Sequence, residues 1–73
     1  MDNMEMLIDK VNKGDIIAFN NTNHYRVEIV LDDSLLCKDS FGKTATIYKE
    51  SYQLPQRVLA IGISEYNFSI GNY

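Results

Sequence analysis

His24 and Cys37 are the only histidine and the only cysteine in the chain, and they are its conventional candidates for general base and nucleophile. A cysteine–histidine pair needs the thiol within hydrogen-bond reach of the ring, and a third group to orient that ring. Cys37 lies in the apolar run Ser34-Leu35-Leu36-Cys37, where a free cysteine behaves as a small hydrophobe. His24 opens a strand beside the polar run Asn20-Asn21-Thr22-Asn23. No catalytic residue is therefore assigned, and the expectation is a non-enzymatic protein. One imidazole and one thiol are too few for a tetrahedral zinc site. Asp32, Asp33 and Asp39 could approach one another across a hairpin and hold a hard cation. Aspartate is also the ordinary residue of tight turns, its side chain bonding the local backbone, and that role accounts for all three. The four glycines are isolated, so no phosphate-cradling loop exists. The expectation is no metal and no other cofactor.

The aromatic residues are more informative. Phe19, Tyr25, Tyr48, Tyr52, Tyr66, Phe68 and Tyr73 are more than the core of so small a domain can enclose. Of these, Tyr25, Tyr48, Tyr52, Tyr66, Phe68 and Tyr73 are the candidate partner surface, since aromatic side chains supply large contact area at low entropic cost. The competing role is to plug the ends of the core. Stacking on nucleic acid would require a basic groove as well. Here the net charge is −3 and the seven basic residues are scattered singly, which opposes phosphate-backbone binding. The first expectation is a protein partner. The alternatives are a small nucleic-acid-binding barrel and an oligomer holding a small molecule or nucleotide between its subunits.

These residues must be positioned by short elements. Met4, Leu7, Ile8 and Val11 fall at helical spacing, which predicts a short amphipathic helix over 4–12, with Asp2 or Asn3 as cap and Gly14 as the stop. Beyond it the pattern turns to strands: Gly14–Asn20, then His24–Leu31 with Tyr25, Val27, Ile29 and Leu31 alternating against His24, Arg26 and Glu28. Ser34–Asp39 and Lys43–Glu50 follow, joined through Ser40-Phe41-Gly42. Pro55 marks a bend before a fifth strand, Arg57–Ile63. The predicted core is Ile17, Val27, Ile29, Leu36, Ile47, Val58 and Ile61. In residues 64–73, Tyr66, Phe68 and Ile70 alternate with polar residues, as in a sixth strand or a tail. Such a strand could pair with a second copy of the chain to give a homodimer.

At 73 residues the chain is one domain, 1–73, mostly β, with the barrel over 14–63. A composition of 45 % hydrophobic and 11 % aromatic residues excludes a disordered chain. A lone cysteine suits a reducing compartment, and the acidic N-terminus lacks the basic region of a signal peptide. Apolar runs are too short to span a membrane. The expected location is the cytoplasm.

The layout resembles the Src-homology-3-like small barrels, including their Tudor, KOW and Sm-like members. The residues that carry the resemblance are Lys13-Gly14-Asp15-Ile16-Ile17, the long strand Tyr25–Leu31, the hairpin through Phe41-Gly42-Lys43, and Leu54-Pro55 before Val58–Ile61. The resemblance implies a five-stranded antiparallel barrel behind a short N-terminal helix. Small, acidic, self-contained domains of this kind also resemble, as a class, the phage or mobile-element inhibitors of host proteins.

Overall fold

The computed structural model describes residues 4–19 and 23–72. Strands dominate: β1 (Met4–Leu7), β2 (Ile16–Phe19), β3 (Asn23–Val30), β4 (Ser34–Lys38), β5 (Thr44–Tyr48), the two-residue strands β6 (Glu50–Ser51) and β7 (Leu54–Pro55), and β8 (Arg57–Ala60). One short helix, α1 (Glu65–Ser69), follows. Six strands form one antiparallel sheet in the order β1-β8-β2-β3-β4-β5, and β6 pairs with β7 in a separate hairpin. The five strands expected from the alternation are all present, although the fifth, expected over Arg57–Ile63, ends at Ala60. They do not close into a barrel: β1 and β5 are the two edges of an open sheet. No helix among the described residues is long and apolar enough to cross a membrane.

The expected N-terminal helix over 4–12 is replaced by an edge strand and a single 3-10 turn, Ile8–Lys10. A two-turn helix cannot hold itself together, whereas pairing of Met4–Leu7 with Ala60–Arg57 satisfies backbone groups along β8. The apolar stripe is still used, because Ile8 and Val11 are both buried. Asp2 and Asn3, the expected caps, lie outside the described residues. Gly14 takes φ +93°, the left-handed conformation that glycine permits at least cost. Its amide donates to the Val27 carbonyl, binding the turn to β3.

The core lies on one face of the sheet, where Ile17, Val27, Leu35, Cys37, Ile47 and Val58 meet Ile8 and Val11. Of the expected core, Ile17, Val27, Ile47 and Val58 are buried, while Leu36 and Ile61 are only half-buried. Ile29 is the clear correction, being 49 % exposed. Val27 pairs with Cys37 but Ile29 with Leu36, so the register shifts and Glu28 is the extra residue. A bulge of this kind breaks the period-two alternation. Ile29 therefore emerges on the outer face with its partner Leu36.

The C-terminal segment is the second correction, since it folds as α1 rather than as a sixth strand or tail. Ser64 caps it by accepting a hydrogen bond from the Asn67 amide at 3.1 Å, the usual duty of a serine N-cap. On the helix only Phe68 is buried, while Tyr66 and Ile70 stay exposed. The homodimer expected through that strand loses its pairing element.

Candidate protein-contact surface

The hairpin β6–β7 fills the gap between the end of β5 and the start of β8. A chain of backbone hydrogen bonds runs through it: Lys49 N–H to the Asp33 carbonyl, Gln56 N–H to the Lys49 carbonyl, and Ile8 N–H to the Gln56 carbonyl, at 2.9, 2.9 and 3.0 Å. The Gln56 side-chain amide also donates to the Tyr48 carbonyl at 2.7 Å. At the tip, Tyr52 and Gln53 both carry positive φ, 54° and 65°. Two such central residues mark a type I′ turn, which normally uses asparagine, aspartate or glycine. A tyrosine in this conformation is held at a cost of order 1 kcal/mol. Its side chain makes no compensating burial, for Tyr52 is 97 % exposed and Leu54 68 %.

Beside the hairpin lies a cleft of about 490 Å3 lined by Asp9, Asp32, Asp33 and Glu50, with Tyr48, Pro55, Ile8 and Lys49. Lys49 is its single cationic side chain. The 3-10 turn brings Asp9 to this end, the β3–β4 turn brings Asp32 and Asp33, and the hairpin brings Glu50. Tyr48, the last residue of β5, is 59 % exposed at its rim.

The six expected contact residues divide sharply. Tyr48 and Tyr52 gather at this end of the sheet, while Tyr66 is exposed on α1. Tyr25 packs half-buried against the core, and Phe68 is 1 % exposed. Tyr73 lies outside the described residues. Phe41, outside the six expected contact residues, is 91 % exposed at the tip of the β4–β5 hairpin. Its position between Ser40 and Gly42 was the available signal, because a turn tip cannot bury a ring.

Phe68 is used internally. Ile16 and Ala18 point to the outer face of the sheet, yet they are buried outside the main core cluster. Arg26, opposite Ile16 on β3, sits over the Phe68 ring at 5.9 Å from its centroid. The same guanidinium donates to Glu65 of α1 at 2.6 Å and to Glu28 at 2.7 Å. Its hydrogen bond holds the Glu28 carboxyl below the ordinary range. The helix thus covers one part of the outer face and leaves the Ile29–Leu36 part bare.

His24 and Cys37 do not meet. His24 is opposite Ala18 on the outer face, whereas Cys37 is opposite Val27 on the core face. Burial pushes the Cys37 thiol up to about 11, with Glu28 adding to the shift. Folded protein is therefore expected to react with a thiol-specific reagent far more slowly than urea-unfolded protein. A rate equal in the two states would place Cys37 at the surface. Asp39 accepts from the Phe41 and Lys43 amides, both at 2.9 Å, the local turn role expected of it. Asp32 and Asp33 stand at the opposite end of β4. Among the described residues no three His, Cys, Asp or Glu side chains are placed so that together they could hold a metal ion.

Comparison with known proteins finds no matching family model, curated protein or solved structure. Only the molecule's own geometry bears on its function.

Proposed function

We propose that the chain is a non-enzymatic protein-binding module, with the β6–β7 hairpin and the adjoining acidic cleft as its contact surface. The observation that carries this reading is Tyr52, a fully presented aromatic held at positive φ. The strained backbone costs the free monomer stability, and the exposed ring returns none of it by burial. Strain of this kind collects at ligand clamps and functional sites, and tyrosine is among the residues that most often dominate protein interfaces. Tyr48 and Leu54 extend the apolar surface, and the carboxylates around the cleft select a partner that is basic at that point. The partner is an intracellular protein, in keeping with the lone reduced cysteine. The order β8-β2-β3-β4-β5 supports reading the sheet as an opened relative of the small-barrel layout, with β1 added at its edge. Inhibition of a host protein by a phage-type factor is one use to which such a module can be put.

Tyr52→Gly separates binding from folding. Glycine adopts the positive φ without strain, so the variant should melt no lower than the native chain while losing its partner. The experiment is affinity capture from the source organism's lysate with both proteins, read by quantitative mass spectrometry. A partner enriched by the native chain and absent with Tyr52→Gly supports the reading. Equal recovery by both proteins, or no specific recovery by either, overturns it.

A further inference from the structure

The free edge of β5 has a construction that its sequence pattern does not reveal. The Lys49 amide donates to Asp33 and the Asp39 amide to the Lys43 carbonyl, which sets the phase of the β4–β5 ladder. In an antiparallel pair the hydrogen-bonded positions alternate. Ala45 and Ile47 therefore bond inward to β4, while Thr44, Thr46 and Tyr48 turn their backbone groups outward. Edge strands are usually protected by proline, bulges or charged side chains, and Thr44–Tyr48 contains none of these. The opposite edge, β1, carries Glu5 in an ion pair with Arg57.

We propose that β5 is a homodimer interface, two copies pairing antiparallel about a two-fold axis at Thr46. Three observations select a second copy as the occupant. The first is charge. Asp32, Asp33 and Glu50 surround the Tyr48 end of the strand. Lys38 is opposite Thr44 at the other end, with Lys13 beside it and Lys43 next in the chain. Glu28 lines the same place but is paired with Arg26, and Asp39 is engaged by the turn amides of Phe41 and Lys43. Antiparallel two-fold pairing brings the basic end of each copy to the acidic end of the other, so the edge is complementary to itself. Lys43 of one copy then approaches Lys49 of the other, but Lys49 lies among the carboxylates of the cleft, which outnumber it.

The second observation is the bulge. By turning Ile29 outward it creates a cross-sheet row, Ile29–Leu36–Thr46, which ends at the free edge. The two-fold axis continues this row across the interface into its own copy, Thr46 against Thr46. The third is the backbone itself. Thr46 pairs with Thr46, and Thr44 with Tyr48, each through outward-facing groups. Gln56 occupies one lone pair of the Tyr48 carbonyl and leaves the second to the partner strand. The dimer takes up part of the acidic cleft and leaves the Tyr52 and Leu54 tips, one pair per copy, to the protein partner. A target with two matching sites would then be bound with avidity.

Sedimentation of the full chain at micromolar concentration should give twice the 8.4 kDa chain mass. Thr46→Pro removes only an outward amide, a position where an edge strand tolerates proline, and should give the single-chain mass with an unchanged circular dichroism spectrum. If that variant does not fold, Thr46→Lys decides, since it places two lysines at the axis on the solvent-facing side of the sheet. Lys43→Glu should also yield monomer, and Lys43→Glu combined with Glu50→Lys should restore the dimer. A native chain that sediments as a monomer overturns the proposal. So does a dimer that survives the folded Thr46 variants, or an edge that takes up an unrelated strand peptide in place of a second copy.

Discussion

Replacing Leu35 with alanine is expected to leave the domain largely unfolded at physiological temperature. Leu35 has no exposed surface and lies on the core face between Val30 and Ile47. Removing a fully enclosed leucine side chain costs about 2–5 kcal/mol, through lost transfer energy and the cavity left behind. A domain of this size draws on a small core and has little stability to spare. Ile29→Ala is the matched control. Half of that side chain already meets water, so its loss should cost about 1 kcal/mol in the monomer. Urea unfolding of the two variants, at a concentration where the chain is monomeric, compares them directly. Equal destabilisation would mean that the register shift at Glu28 is wrongly placed.

Phe68→Ala should produce the other large loss, about 3 kcal/mol or more, with a different character. Phe68 is the only buried residue of α1, and five residues of helix cannot persist without tertiary support. Its removal should release the helix while the main core cluster stays assembled. The expected signature is a lower melting temperature with faster amide exchange in residues 64–72, and with the core amides of β3 and β4 still protected under native conditions. Arg26→Ala should act in the same direction but more weakly, because its contacts with Glu65 and the Phe68 ring lie at the partly exposed margin. Retention of the native melting temperature by Phe68→Ala would show that α1 does not stabilise the sheet.

The contact surface was legible in kind and only partly in place. Six aromatic residues stood out by their number, but exposure separates them. Tyr48 and Tyr52 end a strand and occupy a turn tip, where no covering layer reaches. Tyr25 alternates into the core, and Phe68 is drawn inward by a helix that the alternating pattern around it concealed. The acidic cleft could not be read at all. Asp9, Asp32 with Asp33, and Glu50 come from three separated segments, and the backbone bonds from Asp33 through Lys49 and Gln56 to Ile8 bring them together.

The sequence by itself determined the presence of the five strands and the turns between the second, third and fourth of them. Alternation along His24–Leu31, the aspartates at 32, 33 and 39, and Gly42 all act within a few residues, so their effect survives whatever the rest of the chain does. Only the tertiary structure decided the ends of the chain and the facing of Ile29. Residues 4–12 and 64–70 are too short to impose a conformation by local preference. Each took the form that its neighbour could accept: a strand where β8 offered unpaired backbone, and a helix where Arg26 of β3 meets Glu65 and the Phe68 ring. The facing of Ile29 follows from a one-residue shift in pairing between β3 and β4. Pairing of that kind is set by two strands at once, and neither strand records it alone.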